Sequence, residues 1–239
     1  MSALPPDVPH SRPTMVRWWF VLMGVAIGLF GIERAGSCSM SEQRFRPSAR
    51  LTVATLQAQA ISKACRLYAQ DHEGRFPATE SGATEAFRKL FPDYLQEEMP
   101  FYVPGSAWHN EAPQRKPDGY IGAKPDFAQC LARGENHWAY VTGLTDSDAP
   151  GLPLIADGFV EGRPGQYTNE AGQKGGVWKG TKAVVVHVSG AAKAERLSPW
   201  TGFRVMKSIV NEDGAERSVD VFSRGGGLPV GARVVNPWR

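Results

Sequence analysis

The side chains that come nearest to forming a chemical site are carboxylates near the middle of the chain. Asp146, Ser147 and Asp148 form a short polar loop, and Asp157 follows shortly after it. Together they could supply oxygen ligands for calcium, which needs about six to eight oxygens. The same residues are typical of a turn closed by Asx bonds, and the glycine and acid spacing of an EF-hand is absent. The sequence therefore favours a turn and predicts no metal-binding residue.

Histidine could also bind a metal or act as a base, but the five histidines are scattered: His10, His72, His109, His137 and His187. None belongs to an HExxH or a similar metal-ligand pair. His187 is out of phase with Val184, Val186 and Val188 in a β-rich run, so it should face the other side of a sheet. His137 and Trp138 could line a pocket, although aromatic packing is the commoner reason for such a pair.

Nucleophile and phosphate-binding motifs are absent as well. No serine stands in a GxSxG elbow, and Gly225–Gly227 lacks the lysine and helix start of a phosphate-binding loop. Cys130 lacks the context of a catalytic thiol, while Cys65 either pairs with it in an exported domain or is a small core residue of a helix. The sequence predicts no catalytic or cofactor-binding residue, no cofactor and no enzymatic activity.

The composition is that of a globular protein. Its 239 residues are 42% hydrophobic and 21% charged, and 27 basic against 24 acidic residues give a net charge of +3. The basic residues are scattered, so nucleic acid is not predicted as a partner. Of the 26 glycines 20 lie after residue 100, together with ten of the 18 prolines, which favours turns and short strands over a helical bundle there.

Four segments differ in character along the chain. Residues 1–16 are rich in proline and predict a disordered leader. Residues 17–33 contain an uncharged run from Trp18 to Ile32, which as a helix spans about 22 Å against a hydrocarbon thickness of ~30 Å. Residues 34–50 are a polar bridge, and residues 51–239 form one domain.

The apolar run has three interpretations, namely an uncleaved anchor, a cleaved or lipidated signal segment, and a buried core helix. Trp18 and Trp19 suit a membrane interface, and Arg12 and Arg17 precede the run. These flanks favour a membrane anchor with its N-terminus inside.

The elements of the domain follow from periodicity. Apolar residues recur at helical spacing from Leu51 to Tyr68, and Gly74 is placed to end that helix. A shorter helix is expected from about Thr84 to Phe91. Strands are expected at 137–142, 152–156 and 182–188, with a hairpin at Ser189-Gly190 that ends near Leu197. The tail, which includes Val219–Phe222 and Gly225–Gly227, is expected to finish as a loosely packed strand and loop. The predicted fold class is α+β, with a long amphipathic helix packed on a mainly antiparallel β-sheet.

Two passages resemble the type IV pilin-like and type II secretion pseudopilin family. Residues 57–77 (QAQAISKACRLYAQDHEGRFP) resemble the family's helix exit into its first loop. AYVTGLTDSDAPGLPLIADGF, with KGGVWKGTKAVVVHVSGAA, resembles the closing strands of the globular head. The resemblance implies a one-helix spine on an antiparallel sheet, and assembly of subunits through that spine.

One family feature is missing. The prepilin peptidase site, a glycine followed by an aromatic residue with a glutamate further on, does not stand here, because Arg17 precedes Trp18 and the apolar run holds no acid. The resemblance therefore predicts a permanently anchored, non-enzymatic pseudopilin-like protein. Its partners would be the lipid bilayer and other pilin-like subunits or secretion-system proteins.

The predicted location is the bacterial inner membrane, with one span, a cytoplasmic N-terminus and a periplasmic domain. The alternative is an exported or lipid-anchored ligand-binding domain or enzyme that uses residues 1–37 as a signal.

Overall fold

A computed structural model describes residues 47–109, 116–123, 127 and 129–238, all within the compact unit of residues 46–239. The predicted leader and apolar segment lie outside the described residues. Among those described, no helix is both long and apolar enough to cross a membrane. The fold is α+β, and its sheets are antiparallel, as the sequence predicts.

Helix α1 runs from Pro47 to Asp71 and is the longest element. It begins four residues before the predicted start at Leu51, so the last residues of the polar bridge are helical. The predicted face is buried, with Ala54, Ala58, Ile61 and Cys65 among its residues. The helix ends where Gly74, at a φ of +78°, donates its N–H to the carbonyl of Ala69 at 2.8 Å.

Helix α2 spans Ala83–Arg88 and is shorter than predicted. It ends at Arg88, and turns bonded to Phe87, Arg88 and Leu90 carry the chain past Phe91. Phe87 is buried against Phe101 and Tyr140, with ring centroids 5.2 Å apart in both cases. Through the Phe87 side chain, helix α2 therefore packs into the hydrophobic core.

The main sheet has five strands, namely β1 Trp138–Thr142, β2 Pro153–Asp157, β3 Lys182–His187, β4 Ala192–Arg196 and, from the tail, β7 Arg233–Val235. Their order in the sheet is β4-β3-β2-β1-β7. Strands β1 to β4 were predicted, and β7 was not. Helix α1 packs against β2, β3 and β4, while α2 packs against β1. Every residue of β1 and β2 is buried, so both faces of the sheet centre are covered.

The tail is more ordered than predicted. Strands β5 (Met206–Val210) and β6 (Glu216–Asp220) form a separate hairpin, and β7 pairs with β1. The expected loose packing of the tail was wrong, since Val221, Phe222, Leu228 and Val235 are buried. Strand β6 (ERSVD) is mostly exposed and polar, so it lacks the apolar alternation that marks a strand in the sequence.

Candidate functional site

The acids considered as calcium ligands do not form one site. Asp148 Oδ2 accepts from the backbone N–H of Thr145 at 2.7 Å and from its hydroxyl at 3.0 Å, which is the predicted turn. Asp157 is fully buried in the sheet. Within the described residues, no three His, Cys, Asp or Glu side chains lie close enough to hold a metal ion.

Asp157 instead collects three hydrogen-bond donors in the core. Its Oδ1 accepts from His137 Nε2 at 2.7 Å, and its Oδ2 accepts from the indole of Trp178 at 2.8 Å and the backbone N–H of Val184 at 2.6 Å. Asp157 pairs with Trp138 on β1, so the preceding residue, His137, lies next to the carboxylate. We call Asp157 with its three donors the polar knot; it joins β2 to β3, to the residue that precedes β1 and to the loop containing Trp178.

His137 extends this knot to a serine. Its Nδ1 lies 2.5 Å from Ser106 Oγ, on the other side of the ring from Asp157. Because Asp157 accepts the Nε2 proton, Nδ1 of the neutral ring can accept the proton of the serine hydroxyl. The order Ser106, His137, Asp157 therefore has the connectivity that activates a serine nucleophile, with the two ring nitrogens in exchanged positions relative to the familiar triad.

Burial sets this row apart from an open active site. Ser106 is 3% exposed and His137 is 1% exposed. The backbone beside the row is also tightly packed, since a Cβ built on Gly158 would come within 2.6 Å of the carbonyl oxygen of His137. The row therefore acts first as a hydrogen-bonded support of the core, where its members satisfy one another.

His109 lies beside this row, with its ring centroid 6.2 Å from that of His137. Its Nδ1 donates to the carbonyl of Gly134 at 2.7 Å, and its Nε2 accepts from the N–H of Val103 at 3.1 Å. Burial, together with the neighbouring His137, lowers the pKa of His109 to about 4, although the Gly134 carbonyl opposes the shift. The imidazole is therefore neutral at pH 7 and ties two loops together.

The cysteines do not form the disulfide considered from the sequence. Cys65 and Cys130 are both free and buried. Burial raises the pKa of each thiol, and Glu98 raises that of Cys130 further. Both thiols are consequently protonated and unreactive, and Cys65 is the core residue of the alternative interpretation.

The two remaining sequence candidates, the His137-Trp138 pair and His187, have structural roles in the described fold. The His137 and Trp138 rings pack edge to face at 4.9 Å, which is the aromatic packing favoured above. His187 is half-buried at the end of β3, where its Nδ1 lies 3.0 Å from the carbonyl of Ala191. This contact stabilises the turn between β3 and β4.

The exposed side of α1 offers a different kind of candidate site. Val53, Leu56 and Leu67 are 42%, 60% and 41% exposed, and Ala60 lies exposed between them. Together with Lys63 these positions follow steps of three and four, which defines one stripe on a helix. We call Val53, Leu56, Ala60 and Leu67 the α1 stripe. It lies on the face opposite to the one that packs on the sheet.

Sequence reasoning found His137 and Asp157 as separate candidates and missed Ser106. The three positions lie 31 and 20 residues apart along the chain, and only the strand register and the turn ending at His109 bring them together. The α1 stripe was also missed, although its spacing of three and four residues is present in the sequence alongside that of the buried face. No protein-family model matches the chain, and neither the curated proteins nor the solved structures searched contain a match.

Proposed function

We propose that this chain is a non-enzymatic, membrane-anchored, pseudopilin-like protein, and that α1 associates laterally with the same helix of other subunits. The observation that carries the proposal is the α1 stripe. One face of α1 is buried against the sheet, and the opposite face still presents Leu56 at 60% exposure and Leu67 at 41%. An apolar stripe on the outer face of a helix is suited to a helical partner.

The position of α1 supports the same proposal. It begins at Pro47, and the uncharged run that ends at Ile32 precedes it in the sequence. A single span at residues 17–33 would hold the domain at the inner membrane with its C-terminal part in the periplasm. Subunits confined to one membrane in this way would lose less entropy when their helices associate.

The first test is topological. The full-length chain, expressed in bacteria, should fractionate with membranes, and protease added to spheroplasts should digest the domain while the inner leader is protected. Mass spectrometry of the mature N-terminus should find Met1 or Trp18 retained. A mature chain that begins near Cys38 would favour the exported or lipid-anchored alternative.

The second test addresses the α1 stripe. The variant L56T/L67T should lose the multimers that chemical cross-linking captures in membranes, because it removes two exposed apolar contacts. The matched variant W200T/V230T also removes two exposed apolar side chains, at 96% and 88% exposure, but away from α1. Equal loss of multimers in both variants would contradict a specific role of the stripe.

A second candidate function, acyl transfer at Ser106, is favoured by the hydrogen-bonded row Ser106–His137–Asp157. A fluorophosphonate probe would label an activated serine, and labelling that disappears in S106A would establish it. Because the Ser106 hydroxyl is buried, we expect no labelling in the folded protein.

A further inference from the structure

The turn between β5 and β6 concentrates acidic side chains on an ordered projection. Residues 211–216, which we call the hairpin tip, include Glu212, Asp213 and Glu216, and all of them are exposed. Asn211 donates its N–H to the carbonyl of Ala215 at 2.9 Å, and Asp213 Oδ1 accepts from the N–H of Ala215 at 3.0 Å. The acids are therefore presented on a closed turn.

A groove of opposite character runs between α1 and the turn joining β3 to β4. Two adjoining cavities of about 320 and 360 Å³ share Arg66, Gln70 and Ser189, and we call them together the α1 groove. Lys63 and Arg66 supply two cations, and Asp146 is the acid at one end.

The guanidinium of Arg66 makes one hydrogen bond to the turn that joins β3 to β4. Its Nη1 donates to the carbonyl of Ser189 at 2.8 Å, which uses one of the five N–H donors of an arginine. In the same groove, the Ser62 hydroxyl is buried and has no hydrogen-bond partner among the described residues. The donors of this groove suit a carboxylate, for which arginine is the preferred bidentate partner.

We infer that the hairpin tip of one copy lies in the α1 groove of a second copy. The inference rests on the proposed function, because it needs copies that are held side by side. The tip carries three acids, and the groove carries two cations against one acid. Since tip and groove are different surfaces, the contact is heterologous and can continue from copy to copy into a filament.

The contact complements the α1 stripe. Exposed ion pairs contribute little affinity, so the tip and groove set the register of neighbouring copies while the stripe supplies apolar contact area. Lys63 lies within the helical steps that contain the stripe. Helix α1 therefore contributes to both contacts: its stripe selects the face that meets the neighbouring copy, and its groove sets the register between the two copies.

The test is a directed cross-link between two differently tagged full-length copies in membranes, both with C38S. One copy carries Q70C in the groove and the other carries A215C at the tip, so that the charged residues remain available for exchange. A short bismaleimide should join the two copies. A171C, at another exposed alanine, is the matched control and should give no more than background.

Charge exchange then tests whether electrostatic attraction between tip and groove causes the cross-link. K63E/R66E in the groove copy should reduce the cross-link by about tenfold, and E212K/D213K in the tip copy should do the same. Combining both should restore it, because acidic groove and basic tip again attract. Thermal unfolding of each variant should stay within a few degrees of its parent, since these side chains are exposed and only one exposed hydrogen bond, from Arg66 to Ser189, is lost.

The outcomes separate the two proposals. Equal cross-linking of A215C and A171C, or a charge exchange without loss and restoration, would overturn the tip and groove contact. If multimers that depend on Leu56 and Leu67 persist in that case, the proposed function stands without this contact. If wild-type copies form no multimers at all, the proposed function itself fails.

Discussion

The five-stranded sheet and the β5–β6 hairpin use the same antiparallel ladder in opposite surroundings. Each residue of β1 and β2 is buried, whereas Val219 is the buried residue of β6 and β5 has none. A two-stranded hairpin is marginal on its own, so this one depends on the buried Val205, Val221 and Phe222 at its base. The contrast indicates that the sheet carries the stability of the domain, while the hairpin presents side chains.

The largest expected effect is at Asp157, on the buried side of the comparison. Replacing it with alanine leaves the donors of His137, Trp178 and Val184 without an acceptor in the core. We expect D157A to lose about 3–5 kcal/mol of unfolding free energy in urea denaturation.

The matched control for D157A is the exposed Asp146, where D146A should change the unfolding free energy by less than about 0.5 kcal/mol. A D157A protein as stable as D146A would show that the polar knot does not support the sheet.

Lowering the pH should destabilise the buried region through His109. The pKa of His109 is lowered to about 4 in the folded protein, against an ordinary value of 6.5. The unfolded chain therefore binds a proton as the pH falls below about 6.5, while the folded chain does so only near 4. Stability from this residue is complete above pH 6.5 and declines between the two values, by about 3 kcal/mol in total.

Urea denaturation at several pH values measures this decline, and the H109Q variant isolates it. Glutamine does not titrate, so H109Q should lose less stability than the wild type between pH 6.5 and 4. Identical slopes in the two proteins would rule out His109 as the source.

The most direct comparison of the two regions uses one residue type in both. Val185 is fully buried in β3, and Val210 is 71% exposed at the end of β5. We expect V185A to cost about 2–3 kcal/mol of unfolding free energy and V210A less than about 0.5 kcal/mol. Similar losses would mean that the hairpin contributes to the cooperative core.

The sequence predicted the buried part of the fold well, for a physical reason. Strands β1 to β3 and the inner face of α1 are marked by apolar runs and helical periodicity, while β4 (AKAER) was predicted from the hairpin turn at Ser189-Gly190. The hairpin lacked this signal because β6 (ERSVD) is held by backbone bonds and not by burial. Strand β7 was missed because its three residues become a strand only by pairing with β1.

The candidate site was predictable only in pieces. His137 and Asp157 stood out as residue types, but the register that joins them depends on β1 and β2 together. Ser106 is in a loop, and no local pattern connects it with either residue. Long-range polar networks are set by tertiary packing, which periodicity does not encode.

The smallest expected effect lies at the turn of the hairpin. Gly214 has a φ of +81°, and a Cβ there would meet no atom within 4 Å, so G214A adds backbone strain without a collision. We expect a local cost of about 1 kcal/mol, seen as roughly fivefold faster hydrogen exchange of amides in β5 and β6. G151A is the control, because a Cβ at Gly151 would also meet no atom within 4 Å and the φ of Gly151 is not in the positive region. If the amides of β1 to β3 accelerate as much as those of the hairpin, the two regions unfold as one unit. Acceleration confined to β5 and β6 would instead define the hairpin as a separately opening element, whose acidic tip can vary without disturbing the sheet.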